Sequence, residues 1–351
     1  MLMIRIIVNK LHILFGLVLC FVVTPTVAQK VFYDVQKIWD NGMHCAFTSL
    51  IEYKGRYYCS FREGVTHIFD EQGNAEGKIR ILVSDNGRKW KPLVLIGKKG
   101  YDLRDPKMSI TPDGRLMVVA GGSVYRDTQL VERIPQVLFS SDGESFTDPV
   151  SVEIASSASN GKDWLWRVMW NGKTGYGVNY AMEGENSAKI YLVKTSDGVH
   201  YDLVTELPVG GFPNETTVRM LPDGRMAMMI RRDQGDVMGY WGISHAPFAD
   251  WTFTKMEFRI GGPDFLPLDN GKIIAGARSY YIPSCSKTVL YRGDETGRFQ
   301  EFLVLPSGGD TSYPGFLVVG NELWVSYYSS HETKNASIYL ARIPLSVFDL
   351  D

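Results

Sequence analysis

The sequence predicts an all-β protein, a six-bladed β-propeller made of four-stranded antiparallel blades. Short runs rich in Val, Ile, Tyr, Phe and Trp, separated by Gly, Asn and Asp, fill the chain after its first 28 residues. A hairpin turn signal recurs six times, and a second turn motif keeps the same spacing. Two signals that share a period of roughly 50 residues are typical of propeller blades.

The first repeated signal is a dipeptide suited to a tight hairpin, in which the central residues need positive φ. Successive glycines of the six copies lie 59, 58, 52, 47 and 49 residues apart. The copies are Lys54-Gly55, Asp113-Gly114, Asn171-Gly172, Asp223-Gly224, Asn270-Gly271 and Gly320-Asn321. A β-sandwich, the main structural alternative, would not require this sixfold phasing.

The second signal is a strand that enters a turn of the form Ser/Thr-x-Asp/Asn-Gly-x-x-aromatic. Clear copies occupy 84–90, 140–146 and 195–201, and less regular ones follow strands near 244, 293 and 341. An early strand at 31–38 then completes the last blade and closes the ring, which leaves no long open edge.

The N-terminus has the pattern of a secretory signal. Arg5 and Lys10 precede an apolar run at 11–23, and small residues end the segment at Ala28. We predict that 1–28 is a cleaved signal peptide, that 29–351 is a single propeller domain, and that the protein is secreted or periplasmic. No later segment is apolar enough to span a membrane.

Charge and cysteine content exclude several classes. Removing 1–28 leaves 35 Lys+Arg and 39 Asp+Glu, a net charge of −4, so we expect no nucleic-acid partner. Cys45, Cys59 and Cys285 lack metal-site spacing, and we expect three buried thiols and no disulfide framework. We also expect a monomer that needs neither a metal nor a cofactor.

The propeller topology predicts that the start of each blade's first strand and the end of its second meet at one mouth, here called the rim. Arg, Asp, Glu, Tyr and Trp gather there. Aromatic side chains pack on sugar rings, arginines form two parallel hydrogen bonds to carboxylate or hydroxyl oxygens, and carboxyl groups donate or accept protons. The residues of the rim therefore predict a glycan ligand. The rim consists of the entries 44–47, 104–106, 163–167, 214–216, 263–265 and 311–313 and the exits 61–63, 124–127, 179–181, 231–233, 278–281 and 327–328.

With these motifs the sequence resembles the sialidase (neuraminidase) superfamily, whose six-bladed fold carries repeated Asp boxes, also called BNR repeats. The likeness covers nearly all of 29–351, and its site motifs resemble glycoside hydrolase family 33. The stretch 214–231 is similar to the family's segment in which a glutamate precedes a hairpin and an arginine follows it. The stretch Ser312-Tyr313-Pro314 is similar to the start of the family's last blade.

The resemblance implies a retaining, exo-acting glycoside hydrolase that releases a terminal, acidic sugar. Tyr313 would be the nucleophile and Glu215 its base, while Arg231 and Arg278 would bind the substrate carboxylate. Sialidases are the known exception to two-carboxylate glycosidases. Asp70 would be the general acid, although the neighbouring Glu71 and His67 remain alternatives.

Further substrate contacts are expected from rim residues and from one loop. Arg62 and Arg104 are candidates because the family's first-blade arginine is missing: the corresponding stretch reads Cys45-Ala46-Phe47-Thr48. The other candidates are Asp105, His67 and Trp164, and burial in the core is an equal alternative for the tryptophan.

Two other functions remain open. A polysaccharide lyase on the same fold would use His44 or His67 with a tyrosine to abstract a proton beside a uronic-acid carboxylate. A non-catalytic glycan-binding propeller would explain the missing arginine and the less regular late turns. Ultraviolet-absorbing products would identify a lyase. Glycan binding without turnover would identify a non-catalytic glycan-binding propeller.

Overall fold

The computed structural model describes residues 33–282 and 285–348, and 26 strands in them form six sheets. The predicted signal peptide at 1–28 lies outside these residues. The first strand, β1 (Asp34–Trp39), belongs to the last sheet. Blade I consists of β2 (His44–Tyr53), β3 (Arg56–Gly64), β4 (Lys78–Ser84) and β5 (Lys91–Ile96).

Blades II and III each carry one strand beyond the expected four. Blade II contains β6 (Asp102–Ile110), β7 (Leu116–Arg126), β8 (Gln129–Arg133), β9 (Gln136–Ser140) and β10 (Val150–Ser151). Blade III contains β11 (Glu153–Ile154), β12 (Asp163–Asn171), β13 (Thr174–Gly184), β14 (Ser187–Thr195) and β15 (His200–Leu207). The extra strands are β8, paired with β7, and β11, which runs parallel to β15.

The last three blades have four strands each. Blade IV contains β16 (Pro213–Met220), β17 (Met226–Arg232), β18 (Tyr240–Ser244) and β19 (Thr252–Lys255). Blade V contains β20 (Gly261–Pro267), β21 (Lys272–Ile282), β22 (Cys285–Asp294) and β23 (Phe299–Val304). Blade VI contains β24 (Thr311–Val319), β25 (Glu322–Ser329), β26 (Ser337–Pro344) and β1, and a short 3₁₀ helix (Leu345–Val347) follows it.

The six sheets form a closed ring. The first strand of each blade contacts the first strands of both neighbouring blades, in the order β2, β6, β12, β16, β20, β24 and back to β2. Antiparallel pairing of β1 with β26 completes blade VI, as predicted from the early strand. The prediction of an all-β, six-bladed propeller is therefore confirmed. Among the described residues, no helix has the length and apolarity needed to cross a bilayer.

Local turn chemistry explains why the sequence divides into blades. All six predicted hairpin glycines have positive φ, between 57° and 86°. In the second motif, Ser84 Oγ accepts a hydrogen bond from the Gly87 backbone N–H at 2.9 Å, and Asn86 Oδ1 accepts from Arg88 and Lys89. The copies at 140–146 and 195–201 repeat these bonds. Each motif thus satisfies its own backbone donors.

Apolar side chains fill the contacts between neighbouring blades. Between blades IV and V, Trp241 packs edge-on against Phe265 and Phe299, with ring centroids 4.9 and 5.3 Å apart. The free thiols of Cys45 and Cys59 are buried, but Cys285 is half-buried. The expectation of a third buried thiol was therefore wrong, because Cys285 begins β22, whose first three residues are only half-buried.

A β-bulge interrupts the first strand of every blade at the same place. In each, two residues face one residue of the second strand, so the strand bends locally. The two-residue bulges are Phe47-Thr48, Asp105-Pro106, Trp166-Arg167, Asn214-Glu215, Gly262-Pro263 and Tyr313-Pro314. Their prolines suit positions outside the ladder of hydrogen bonds. These bulges deliver six unlike residues to one central mouth.

Candidate active site

The bulges of blades IV and VI join three predicted residues, here called the tyrosine cluster: Tyr313, Glu215 and Arg231. The Tyr313 hydroxyl donates a hydrogen bond to Glu215 Oε1 at 2.6 Å. Arg231 Nη1 lies 2.7 Å from Glu215 Oε2 and donates to the Tyr313 oxygen at 3.0 Å. Phenol, carboxylate and guanidinium therefore contact one another directly, although 98 residues separate Tyr313 from Glu215.

The electrostatics of the cluster keep the phenol protonated at rest. Burial and the Glu215 carboxylate raise the pKa of Tyr313 well above 10, while Arg231 and Arg278 act in the opposite direction. A phenol in this setting reacts as a nucleophile only if a base removes its proton as it attacks. Glu215 Oε1 occupies the position such a base needs.

Gly262 in blade V fixes the position of Tyr313. Its backbone N–H donates to Glu215 Oε2 at 2.8 Å, and its φ is +57°. A Cβ at this position would lie within 2.6 Å of the Tyr313 ring. Only glycine allows the blade V backbone to approach the ring so closely.

Arg278 connects the tyrosine cluster to a second group of side chains. Its guanidinium lies 5.3 Å from the centroid of the Tyr313 ring. Nη2 donates to the Tyr328 hydroxyl at 2.6 Å and to Asp310 Oδ1 at 3.2 Å. Arg278, which was predicted to bind the substrate carboxylate, therefore lies at the site, and its guanidinium is already hydrogen-bonded to the Asp310 carboxylate.

The second group, here called the Asp310 cluster, consists of Asp310, His44 and His67. Asp310 Oδ2 lies 2.6 Å from His67 Nδ1 and 3.1 Å from His44 Nε2. The Tyr328 hydroxyl donates to Asp310 Oδ1 at 2.8 Å. Burial alone would raise the pKa of Asp310, but hydrogen bonds from the two histidines outweigh it and hold that pKa far below its usual value.

The three members of the Asp310 cluster could also be considered as metal ligands, since their ligand atoms lie within 4.8 Å of one another. His44 Nδ1 accepts a hydrogen bond from the Ala336 N–H at 3.4 Å. The His44 proton is then on Nε2, which lies 3.1 Å from Asp310 Oδ2 and offers no lone pair to a metal. The chemistry of the donor set therefore favours a hydrogen-bonded cluster.

Blade II contributes three charged residues to the mouth. The Arg104 guanidinium lies 5.1 Å from the centroid of the Phe47 ring. Burial raises the pKa of Asp105 to about 6, against the opposing charge of Lys107. Lys107 Nζ donates to the backbone oxygens of Phe47 and Thr48, and burial lowers the pKa of Lys107 to about 7. Arg104 and Asp105 are thus near the site.

Two other predicted residues lie in the interior. The side chain of Arg62 is 1% exposed, and its Nε donates to Asp102 Oδ1 at 2.9 Å. It anchors the loop after blade I's hairpin through Thr66 O and does not fill the place of the missing arginine. Trp164 is buried and stacks on Tyr180, with ring centroids 6.1 Å apart, so it lies in the core, which was the alternative position for this tryptophan.

Asp70 lies in the loop after β3, where its carboxylate is held by its own turn. It accepts hydrogen bonds from the backbone N–H groups of Gln72 and Asn74 at 3.0 and 2.8 Å. The bond from Asn74 is the largest cause that lowers the pKa of Asp70. Asp70 lines a separate groove with Glu63 and Lys78. The Asp70 carboxylate is thus occupied by its own turn and lines a groove separate from the tyrosine cluster, so the geometry does not support Asp70 as the general acid.

Sequence reasoning missed several residues of this site. Asp310 and Gly262 directly precede predicted rim segments, and Lys107 directly follows one. The bulges decide which of these side chains turn inwards. The repeated proline at the second bulge position of blades II, V and VI is the signal that could have located them.

Comparison with known proteins gives structural neighbours only. No family model matches the chain, and no curated protein matches it. A protein of unknown function from Dyadobacter fermentans is similar over 88% of this chain and 99% of its own, with 18% identity and a TM-score of 0.76.

Two further neighbours carry functional titles. The Trypanosoma rangeli sialidase matches over 90% of this chain and 60% of its own, with 10% identity and a TM-score of 0.71. A Penicillium chrysogenum α-L-arabinanase complexed with arabinobiose matches over 90% and 97%, with 15% identity and a TM-score of 0.64. At these identities the neighbours establish the fold that the chain shares with them.

Proposed function

We propose that this protein is an exported, retaining, exo-acting glycoside hydrolase in which Tyr313 is the nucleophile and Glu215 its base. The observation that carries the proposal is the 2.6 Å hydrogen bond from the Tyr313 hydroxyl to Glu215 Oε1, with Arg231 in contact with both. Solved structures titled sialidase and α-L-arabinanase share the fold, which makes glycoside hydrolysis a reasonable class.

In the proposed reaction, Glu215 removes the phenolic proton as the Tyr313 oxygen attacks the anomeric carbon and the bond to the leaving oxygen breaks. A glycosyl-tyrosine intermediate forms. Water then attacks the same carbon as the bond to the tyrosine oxygen breaks; that oxygen recovers its proton from Glu215, and the group that protonated the leaving oxygen takes a proton from the water. Two displacements at one carbon retain the anomeric configuration.

The proposed substrate is a glycan with a terminal, acidic sugar. A tyrosine nucleophile avoids much of the repulsion that a carboxylate nucleophile would meet from a carboxylate on the sugar. Arg231 contacts the Tyr313 hydroxyl, and the Arg278 guanidinium lies 5.3 Å from the centroid of the Tyr313 ring. Because Ala46 is buried where the family has its third arginine, we propose a weaker grip on a carboxylate than a sialidase has.

The first test is a panel of 4-methylumbelliferyl glycosides of N-acetylneuraminic acid, a uronic acid, L-rhamnose and L-arabinofuranose. We expect fluorophore release from at least one member, and the first-formed sugar in the proton NMR spectrum should have the substrate's anomeric configuration. Tyr313→Phe and Glu215→Gln should each lose at least about 1,000-fold in kcat, because they remove the nucleophile and its base.

Inactivity on all members would contradict the proposal. So would full activity of both variants, or release of an unsaturated, ultraviolet-absorbing sugar from a uronic-acid polymer.

The proposed export depends on the N-terminal pattern at 1–28. Sequencing the N-terminus of the mature protein should give Gln29 as its first residue. Retention of Met1 in the exported protein would contradict cleavage at this site.

A further inference from the structure

The Asp310 cluster places one histidine where it can exchange protons with a ligand. Asp310 is held ionised, so the 2.6 Å contact identifies His67 Nδ1 as the nitrogen that carries a proton towards it. His67 Nε2 is the other nitrogen, and it has no protein hydrogen-bond partner in the part of the chain that the structure describes. A carboxylate that orients a histidine in this way leaves the second nitrogen free for chemistry.

The two histidines of the cluster differ in access. The side chain of His67 is 41% exposed, whereas that of His44 is 7% exposed. His44 uses its Nδ1 to accept from the Ala336 backbone, as shown above. His67 is therefore the member that can meet a substrate, and His44 helps to hold Asp310.

His67 and the proposed nucleophile contact the same aromatic ring. The Phe47 ring contacts the His67 ring edge-on at a centroid distance of 5.2 Å and the Tyr313 ring at 4.9 Å. Arg278 binds Asp310 and covers the Tyr313 ring. The Phe47 ring and the Arg278 guanidinium thus connect the tyrosine cluster with the Asp310 cluster. Both clusters therefore belong to the same mouth.

We propose that His67 is the general acid and base for the glycoside hydrolase reaction, and that Asp310 and His44 position it. This inference rests on the proposed function of the tyrosine cluster. It replaces Asp70, whose carboxylate is occupied by its own turn.

The proton balance is complete. In the first step, His67 Nε2–H gives its proton to the leaving oxygen as the bond from that oxygen to the anomeric carbon breaks, and the alcohol departs. In the second step, neutral His67 takes a proton from water as the water oxygen bonds to the anomeric carbon and the bond to Tyr313 breaks. His67 ends the cycle protonated, as it began.

The surroundings of His67 give the reaction a pH dependence. Burial lowers the pKa of His67 below 6.5, and the neighbouring Arg104 and His44 act in the same direction, while Asp310 opposes them. The first step needs the doubly protonated ring, which becomes scarce as pH rises through that pKa. We therefore expect kcat/KM to fall as pH rises through the lowered pKa of His67.

The test compares His67→Gln with the parent on two aryl glycosides of the sugar that the parent cleaves best in the panel. With phenol as the leaving group, which needs a proton, the variant should lose about 10² to 10⁴ in kcat/KM. With 2,4-dinitrophenol, which leaves unprotonated, the loss should be less than about 10-fold, and the fall of kcat/KM at high pH should disappear.

A second readout concerns the base role. Azide needs no base to attack the glycosyl-tyrosine intermediate, so it should accelerate turnover of the dinitrophenyl glycoside by His67→Gln and give the glycosyl azide. Asp310→Asn should shift the high-pH limb of kcat/KM to lower pH, because it removes the negative charge that favours the protonated ring.

His200→Gln is the matched control. His200 Nδ1 lies 2.7 Å from Asp197 Oδ2, so it forms a similar histidine–carboxylate pair, but it is exposed in a repeated turn of blade III. This control should show parental kinetics with both leaving groups.

Equal losses of His67→Gln on both leaving groups, with an unchanged pH profile, would overturn the assignment of His67. The assignment would also be overturned if the loss of kcat/KM depended on the leaving group in Asp70→Asn and did not depend on it in His67→Gln. In either case a parent that still depends on Tyr313 would leave the proposed function standing. A parent inactive on every glycoside would instead overturn both.

Discussion

Replacing Gly262 by alanine probes how the bulges build the site. At φ +57°, alanine adopts a left-handed conformation that costs about 1–2 kcal/mol. The new Cβ would also lie within 2.6 Å of the Tyr313 ring, whereas ordinary contact begins near 3.4 Å. The ring must therefore move by about 1 Å, and a misplacement of that size costs about 100-fold in rate.

Gly271 provides the matched control in the same blade. Its φ is +80°, and a Cβ there would meet nothing within 4 Å. Gly271→Ala therefore carries the same kind of backbone cost without the collision. Gly271→Ala should lose about 1–2 kcal/mol in the free energy of unfolding measured by urea denaturation, and Gly262→Ala should lose more because the collision adds to the backbone cost.

The assay is kcat and KM on the best glycoside of the panel, measured on protein shown to be folded by circular dichroism. Gly262→Ala should lose about 100-fold in kcat, while Gly271→Ala should retain the parental value. If the two variants had the same kcat, the position of Tyr313 would not depend on the blade V backbone, and the reasoning from the bulges would be refuted.

Two further predictions concern buried charges. Arg62→Met removes the nearer of the two cations beside the buried Asp102 carboxylate and leaves Arg104 at 3.6 Å, so it should cost about 3–5 kcal/mol in the free energy of unfolding by urea; a changed KM with unaltered stability would instead return Arg62 to substrate binding. Burial raises the pKa of Asp105 from 3.8 to about 6. Between these pH values the folded state therefore binds more protons than the unfolded state. As a result, Asp105 makes the free energy of unfolding fall as pH rises from about 4 to 6. Asp105→Asn should flatten that part of the stability curve measured by thermal unfolding, and an equally steep curve in the variant would contradict the raised pKa.

The blades could be predicted from the sequence because a turn is encoded by adjacent residues. Gly55 and its five counterparts need positive φ whatever surrounds them, and their spacing counts the blades directly. Once the fold is a ring, strand direction alone brings the neighbourhoods of Glu215, Arg231 and Tyr313 to one end.

The choice of the residues that face the mouth was decided only in three dimensions. The bulge at Tyr313-Pro314 turns the phenol towards Glu215, and packing between blades directs Arg62 inwards to Asp102. Nothing in the adjacent sequence encodes the meeting of Asp310 with His67, 243 residues away. The turns follow from short-range chemistry, whereas the direction of a side chain in a loop or bulge depends on neighbours that only the closed ring supplies.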